Sequence, residues 1–252
     1  MENQEFKDFV RLIEPPIQLK SSSSSVKSKP SSGDRITNTR KFLTVNQMIM
    51  YLQEMPSFGK HAYYGCWCFP EGPDEPLNGY GEPVDDIDKT CKRLSQCYKC
   101  ASMKYGKEDC PSNTHYEFTG IYDKATRMKT IECLDPEGSC ARSLCECDRN
   151  LASNLADQQY EWEESLHAKW GNFDRESICR IKSSKQGYSS GEMLRSRDRA
   201  QGNGPTLDAC CGEEGQRFPF DSRNRACCGN RTYNVFTMKC CAGKVTNTHE
   251  LC

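Results

Sequence analysis

Cysteine is the residue that most constrains how this chain can fold, since it occupies 18 of 252 positions. Thiols stay reduced in the cytosol, so this density is typical of a secreted protein held together by disulfide bonds. Clustered cysteines also bind metals, but no CxxC pair accompanies histidines at matching spacing, and the chain has four His in all. We therefore predict an extracellular, disulfide-bonded protein and assign no metal to the histidines.

Net charge and hydropathy exclude two classes of partner. The formal net charge is −1, so the chain lacks the basic footprint of a nucleic-acid-binding protein. It contains no run of about 18 apolar residues, so no transmembrane segment is expected. The first five residues are acidic and lack the apolar stretch of a secretory signal peptide. Because the cysteines predict secretion, we interpret this start as processed, truncated or recombinant.

Composition divides the chain into four segments. Residues 1–42 contain no cysteine and include an unbroken serine run at 21–25, which predicts a disordered or extended tail. Residues 43–180 form a first cysteine-containing module. Residues 181–209 are rich in Ser, Gly, Gln and Arg, which is typical of a linker. Residues 210–252 form a second module, too short for a sufficient apolar core and therefore dependent on disulfides.

Hydrophobic periodicity predicts the secondary structure of the first module. A short amphipathic helix is expected where apolar residues recur at helical spacing, at Leu43, Val45, Met48, Ile49 and Leu52. Two longer helices are predicted over residues 86–103 and 139–162. Two β-rich runs between residues 114 and 133 flank a turn-forming sequence at residues 123–126, which predicts a hairpin.

Three cysteine-framed motifs in this module carry a family resemblance. They are Tyr64-Gly65-Cys66-Trp67-Cys68, then Pro83-Val84-Asp85-Asp86-Ile87-Asp88 followed by Cys91, Cys97 and Tyr98, and finally Cys145-Glu146-Cys147-Asp148. Together they resemble secreted phospholipase A2. The resemblance implies a mainly α fold, with disulfide-stapled helices and a small β-wing, followed here by a small cysteine-rich β/loop module.

The resemblance also implies a set of disulfides. The pairs are Cys66 with Cys179, Cys68 with Cys91, Cys97 with Cys147, Cys110 with Cys140, and Cys133 with Cys145. One family bridge is missing at both ends, where this chain has Thr90 and Asn154. Cys100 is left over, and the second module has an odd number of cysteines. A bridge between the modules and an intermolecular bridge are both open for Cys100.

The residues that carry out catalysis in the family are absent. The positions of its histidine base and its calcium-binding aspartate hold Leu94 and Ser95. A hydrocarbon side chain cannot accept a proton. The family's glycine-rich calcium loop is replaced by Phe69-Pro70-Glu71-Gly72, in which Phe69 and Pro70 restrict the backbone. We therefore expect a catalytically inactive protein.

One member of the family's catalytic network is retained at Asp148. It projects from the apolar stripe formed by Leu144, Leu151 and Leu155, so it is expected to be buried and to need partners. The resemblance implies that the hydroxyls of Tyr98 and Tyr122 are those partners. A retained catalytic orienter and a buried network that fixes the two long helices are both consistent with this position, and we favour the network because no base remains to be oriented.

An acidic segment follows the calcium-loop position. Residues 71–88 contain no Lys or Arg and seven acids, Glu71, Asp74, Glu75, Glu82, Asp85, Asp86 and Asp88. Their carboxylates could form a weak, multivalent site for calcium or a mineral surface. The alternative is a solvated acidic loop, which we favour because charge runs are usually solvent-exposed.

The second module contains a cysteine repeat. Vicinal pairs stand at Cys210-Cys211, Cys227-Cys228 and Cys240-Cys241, with aromatic turns between them. Two units share the middle pair, which resembles the galaxin-type repeat of extracellular matrix proteins. Asn230-Arg231-Thr232 is an N-glycosylation sequon, and Asn230 is therefore a candidate glycosylation site.

These features predict a non-catalytic secreted scaffold or binding protein with a phospholipase A2-like fold. Otoconins use this fold in a mineral matrix and galaxins belong to coral skeletons, so the resemblances point to an extracellular or biomineral matrix and to weak calcium binding. Partners would be a matrix protein, a mineral surface or lipid. The alternatives are a calcium-dependent phospholipase with an altered site, and a lipid- or receptor-binding module.

Overall fold

A computed structural model describes residues 32–54, 59–70, 77, 79–179 and 207–252, with side chains from residue 41 onward. The first module contains three α-helices, which we label α1 (Ser32–Leu52), α2 (Asp86–Tyr105) and α3 (Cys140–Asp157). A hairpin of β1 (Phe118–Asp123) and β2 (Met128–Cys133) lies between α2 and α3. A short 3-10 helix, Glu164–Leu166, follows α3. Among the described residues, no helix is apolar over enough of its length to cross a bilayer.

The two long helices begin at side-chain caps that the sequence provides. The carboxylate of Asp85 accepts the backbone N–H of Asp88 at 2.7 Å, and the hydroxyl of Ser139 accepts that of Arg142 at 3.1 Å. Helix α2 ends at Gly106, whose φ of 92° lies in the region that favours glycine. These caps fix where α2 and α3 start, and therefore which side chains face each other across them.

The apolar faces of the three helices form one core. Leu144, Leu151 and Leu155 line the inner face of α3 and are almost fully buried. Helix α1 packs against α3 and contributes Met48 and Ile49. The predicted apolar stripes of α1 and α3 therefore face one another, as their helical spacing requires.

Three predicted boundaries differ from the structure. The predicted tail, residues 1–42, overlaps α1, and residues 1–31 lie outside the described part of the chain. Phe42 is only 5% exposed because it packs edge-to-face on Phe69, with ring centroids 5.3 Å apart. The third helix ends at Asp157 rather than at 162, because the chain reverses so that the Trp162 indole can donate to the Lys60 carbonyl at 3.0 Å. The predicted linker, 181–209, lies outside the described residues up to 206, and Ala209 already begins a strand.

The predicted hairpin is present. Phe118 pairs with Cys133 and Asp123 with Met128 in an antiparallel register. At the turn, the Asp123 carboxylate accepts the Ala125 backbone N–H at 2.9 Å. Such Asx turns are a reason why aspartate favours this position.

All 18 cysteines form nine disulfides. Five lie within the first module and join the pairs that the family resemblance implies, namely Cys66–Cys179, Cys68–Cys91, Cys97–Cys147, Cys110–Cys140 and Cys133–Cys145. Cys100 pairs with Cys210 and joins the two modules. Where the family has a further bridge, the Thr90 hydroxyl instead donates to the Gln158 side chain at 3.3 Å.

The second module is a row of three two-stranded hairpins. Its strands are β3 (Ala209–Cys211) with β4 (Phe218–Phe220), β5 (Arg225–Cys228) with β6 (Arg231–Asn234), and β7 (Met238–Cys241) with β8 (Lys244–Asn247). Each strand of the third hairpin begins and ends 13 residues after the corresponding strand of the second hairpin.

Disulfides staple the hairpins in sequence. The first cysteine of each vicinal pair bonds backward and the second bonds forward, giving Cys100–Cys210, Cys211–Cys227, Cys228–Cys240 and Cys241–Cys252. The first hairpin packs on α2. Both modules therefore form one disulfide-linked structure, and the predicted fold class is confirmed.

Candidate functional site

The site lies where α1, α2 and α3 meet, around the carboxylate of Asp148. This side chain is fully buried, and its two oxygens each lie 2.8 Å from the Tyr98 hydroxyl, which donates to them from α2. The hydroxyl of Tyr116, which precedes β1, donates to the same carboxylate. A buried charged group needs such partners, so the network meets the requirement that the sequence imposes.

Tyr122 does not belong to this network, so that part of the expectation is wrong. It lies on β1 opposite Lys129 and is half-exposed, and no hydrogen bond joins it to Asp148 among the described residues. Tyr116 is only 4% exposed and takes the expected role. It stands just before the strand begins, where the backbone turns its side chain into the core, whereas Tyr122 lies near the far end of the hairpin.

The third partner of Asp148 is a lysine that sequence reasoning missed. The ammonium of Lys41 in α1 lies 2.9 Å from Asp148 Oδ2, and the two side chains are 7% and 0% exposed. The ammonium also lies over the rings of Tyr116 and Tyr98, at 3.9 and 5.1 Å from their centroids. The one available signal was position, because Lys41 precedes the apolar face of α1.

Burial governs the titration of this cluster. Desolvation lowers the pKa of Lys41, and the nearby Asp148 carboxylate opposes that change. Desolvation and the same carboxylate raise the pKa values of Tyr98 and Tyr116 well above their usual value. Both hydroxyls therefore remain protonated donors across the physiological range.

The residue that we predict at the position of the family's base, Leu94, is a hydrocarbon side chain. Leu94 is 5% exposed and packs in the core beside this network. With Phe42, Val45, Phe69 and Leu77 it lines a cavity of about 10 Å³, which holds about one water molecule. The described part of the cleft therefore has no titratable base at position 94.

The described residues that we predict at the family's calcium position, Ser95 and Phe69, provide no carboxylate. Calcium takes six to eight oxygen ligands, usually including carboxylates. Here the Ser95 hydroxyl donates to the Leu77 carbonyl at 3.2 Å. Phe69 occupies the loop with a φ of 42°, where the family has glycine. Among the described residues, no group of three or more His, Cys, Asp or Glu is arranged to hold a metal.

The acidic segment is not a continuous solvated strip. Asp88 is fully buried and accepts the backbone N–H groups of Cys66, Trp67 and Val84 at 2.9, 2.7 and 3.0 Å. Burial raises the pKa of Asp88, and these donors oppose the rise. The Asp88 carboxylate also lies close to the backbone of residue 65. A side chain there would not fit, since a Cβ on Gly65 would lie 2.4 Å from the Asp88 carboxyl carbon.

Three other acids of the segment contact neighbouring side chains, and three lie outside the described residues. Asp85 caps α2 and accepts the Tyr64 hydroxyl. Glu82 lies 3.3 Å from the Lys92 ammonium, and Asp86 lies 3.5 Å from that of Lys89. The remaining three, Glu71, Asp74 and Glu75, lie outside the described residues.

Two further histidines are buried outside the Asp148 network. His61 and His167 are each 2% exposed, and the Gln53 side chain lies 3.1 Å from His61 Nε2. Desolvation, the Lys60 charge and His167 lower the pKa of His61 to about 3. His167 Nδ1 accepts the backbone N–H groups of Lys169 and Trp170 at 3.1 Å. These histidines are neutral structural groups within the core rather than members of the Asp148 network.

The sequon lies on the second module. Asn230 is exposed in the turn between β5 and β6, and its amide lies 3.5 Å from a Glu213 oxygen. An oligosaccharide could therefore extend from this turn without displacing the core.

Comparisons with known proteins identify the first module. The Phospholipase A2 family model matches residues 42–165, which ends before the row of hairpins. The basic phospholipase A2 beta-bungarotoxin A1 chain of Bungarus candidus is 30% identical over 119 residues, covering 46% of this chain and 76% of that protein. The phospholipase A2 of Ovis aries is 32% identical over 100 residues, covering 40% of this chain and 73% of that protein. The acidic phospholipase A2 beta-bungarotoxin A3 chain of Bungarus multicinctus is 32% identical over 119 residues, covering 46% and 71%. The chain therefore belongs to the phospholipase A2 family.

Proposed function

We propose that this protein is a secreted, non-catalytic scaffold of an extracellular or biomineral matrix, in which the phospholipase A2 fold has been kept and its chemistry lost. The nine disulfides support secretion, because such bonds persist in oxidising compartments. The galaxin-like cysteine repeat supports a matrix role.

The buried ion pair between Lys41 and Asp148 is the observation that carries the proposal. In a catalytic triad, the carboxylate orients a base and stabilises the charge that develops on it. Here the carboxylate lies 2.9 Å from the Lys41 ammonium, and Leu94 occupies the position where we predict the family's base. Asp148 thus stabilises the packing of α1 against α2 and α3.

A hydrolysis assay tests the loss of activity. The wild-type protein, incubated with mixed phospholipid micelles and millimolar calcium, is expected to release no more fatty acid than its Asp148→Asn variant. Calcium-dependent hydrolysis that the substitution abolishes would establish the altered-site phospholipase instead. Recovery of a stoichiometric lipid with the purified protein would establish a lipid-binding module, against the small volume of the cavity.

Weak calcium binding by the acidic segment is a separate part of the proposal. Asp86 is exposed at the start of α2, and its carboxylate meets only the exposed Lys89 in the part of the chain that the structure describes. Together with Glu71, Asp74 and Glu75 it can supply oxygen ligands to a weak, multi-site interaction. Calorimetric titration should detect millimolar binding that is lost when these four acids are replaced by their amides. No heat at millimolar calcium would count against the mineral role.

Glycosylation of Asn230 also remains a prediction. Treatment of the secreted protein with an endoglycosidase should lower its mass by that of one N-linked glycan, and Asn230→Gln should produce the same lower mass. An unchanged mass after treatment would show that the sequon is not used.

A further inference from the structure

The turn between β6 and β7 presents two apolar side chains to solvent. Val235 and Phe236 are 38% and 71% exposed, so most of the phenyl ring lies outside the protein. Burial of these side chains against a partner would remove apolar surface from water and is therefore favourable. We call the two residues the apolar tip.

The local backbone does not explain why the tip is apolar. In the preceding turn, the backbone N–H of Arg223 donates to the Asp221 carboxylate at 3.1 Å. The backbone N–H of Phe236 donates to the Asn234 side-chain oxygen at 2.9 Å in the same way. Arg223 thus stands in the place of Phe236, and a serine precedes it. Polar residues form the same turn, so the apolar pair is specific to this position.

Hydrogen bonds hold the apolar tip in one position. The Val235 N–H donates to the Asn224 carbonyl at 3.2 Å, and the Thr237 N–H donates to the Asn234 carbonyl at 3.4 Å. The Cys228–Cys240 disulfide joins the two hairpins that flank the turn. Little conformational entropy is therefore lost when the tip binds a partner.

Cations without carboxylate partners lie on either side of the apolar tip in the chain. Arg225 stands opposite Asn234, the residue before the tip, and Lys239 follows three residues after it. Among the described residues, no ion pair joins either cation to a carboxylate. Residues 221–252 contain five Lys or Arg and two Asp or Glu, a net charge of +3. A partner that covers the tip is therefore expected to be acidic.

A groove on the helical module has the complementary character. It has a volume of about 460 Å³ and is lined by two apolar residues and four acids, from the start of α2 and the chain after α3, namely Pro83, Val84, Asp85, Asp86, Glu161 and Glu163. Lys89 also lines it, so the lining carries a net charge of −3. We call it the acidic groove.

The carboxylates of the acidic groove suit a cationic surface better than a single ion. Glu161 and Glu163 are exposed, and no ion pair joins either to a cation in the described part of the chain. No three acids within that part are arranged to hold one metal ion. Separate carboxylates beside Pro83 and Val84 instead complement a partner whose cations flank an apolar group.

We propose that the apolar tip of one copy of this protein docks in the acidic groove of a second copy. Phe236 contacts Pro83 and Val84 in this arrangement, and the cations beside the tip face the acids of the groove. The groove has room for a phenyl ring, because sites of about 300–1,000 Å³ enclose whole drug-sized ligands. The inference rests on the proposed function, for which it supplies the means by which the scaffold assembles.

The two surfaces lie far apart on one molecule. The acidic groove is at the start of α2, whereas the Cys100–Cys210 disulfide anchors the hairpins 14 residues after Asp86 in that helix. At the α-helical rise of 1.5 Å per residue, this separation is about 21 Å. A contact between two different patches is heterologous, so it continues from copy to copy and builds chains or rings.

The test is sedimentation velocity on the full-length secreted protein at about 50 mM salt, where charged contacts are weakly screened. The tip variant is Val235→Ser/Phe236→Ser, and the groove variant is Glu161→Lys/Glu163→Lys. Matched controls change exposed residues elsewhere on the helical module, Met128→Ser/Leu134→Ser for the tip and Glu108→Lys/Glu137→Lys for the groove. Circular dichroism and peptide mapping without reduction would first establish that every variant is folded with its disulfides intact.

We expect the wild type to form oligomers larger than a dimer, and both controls to behave like it. The tip and groove variants should each associate at least about tenfold more weakly, since each loses one side of the contact. An equimolar mixture of the two variants should form dimers and nothing larger, because only one intact tip and one intact groove can then meet. Salt at about 500 mM should shift the wild type towards monomer.

A monomeric wild type would overturn the proposal, as would a mixture of the two variants that stays monomeric or controls that lose association equally. A monomeric wild type that binds phosphatidylserine vesicles through the tip would assign the tip to membranes instead. The hydrolysis assay decides the proposed function separately, so a monomeric wild type that releases no fatty acid would overturn this contact alone.

Discussion

The helical module buries Leu144, Leu151 and Leu155 to within 2% of complete burial, whereas the buried hydrophobic residues of the hairpin module are Cys211, Phe220 and Cys228. Two of those three are disulfide-bonded cysteines. The first module thus has an apolar core that disulfides reinforce, and the second depends on disulfides because its strands cover little apolar surface. The same bond type therefore has different consequences in the two parts of one chain.

The two modules also differ in where their charged side chains lie. In the helical module, the charged side chains of Lys41, Asp88 and Asp148 are buried beside polar or charged partners. In the second and third hairpins the charges face solvent. The helical module thus buries several charged side chains, whereas the second and third hairpins bury none.

Removing one disulfide of the hairpin module should have a large local effect. Cys228→Ser/Cys240→Ser should unfold the third hairpin locally, since loss of a disulfide from a small module costs about 2–5 kcal/mol. Hydrogen exchange should show loss of protection at residues 238–247, with α2 and α3 unchanged. Cys68→Ala/Cys91→Ala, in the core, is the matched control and should lower the unfolding temperature without local opening. Retained protection in the third hairpin would contradict the comparison.

Acid should destabilise the helical module through His61. The pKa of this buried imidazole is about 3 in the folded protein, against the usual value of 6.5 in the unfolded chain. The unfolded chain therefore binds more protons than the folded protein between these two pH values. Stability should therefore fall as the pH drops from 6.5 towards 3, by about 1.4 kcal/mol per pH unit from this group within the window.

His61→Gln provides the control, because it keeps a polar side chain beside Gln53 but cannot titrate. Denaturant unfolding at a series of pH values should give a shallower pH dependence in the variant than in the wild type. Acid-sensitive groups that do not interact with His61 affect both proteins alike. Parallel curves for the two proteins would show that His61 does not contribute.

The smallest expected effect distinguishes the two tyrosines. Tyr116→Phe removes a donor from the buried Asp148 carboxylate and should cost about 1–3 kcal/mol of unfolding free energy. Tyr122→Phe, on the half-exposed hairpin, should change it by less than about 0.5 kcal/mol. Chemical denaturation measures both, and equal costs would restore Tyr122 to the network.

Much of the helical module could be predicted because its signals are local or family-wide. Helical spacing located α2 and α3, and turn chemistry at Asp123 located the hairpin. The five disulfides within the module followed from cysteine positions that the resemblance supplies. The start of α1 was not predicted, because the serine-rich, basic segment before it has the composition of a disordered tail.

The contacts that define the site could not be predicted, because they join residues far apart in sequence. Lys41 and Asp148 meet only when α1 crosses α3. The choice between Tyr116 and Tyr122 depends on where the chain turns before β1, which no spacing rule specifies. The partner of Cys100 was equally open, since an odd cysteine in each module is compatible with a bridge between modules or between molecules.

A double-mutant cycle on Lys41→Met and Asp148→Asn tests most directly whether Asp148 now serves the fold. Each single substitution leaves a buried partner uncompensated and should cost about 3–5 kcal/mol of unfolding free energy in guanidinium chloride. The double variant should cost clearly less than the two single costs together, since neither charge is then left alone in the core. Additive costs, or a Lys41→Met variant as stable as the wild type, would show that the lysine does not compensate Asp148.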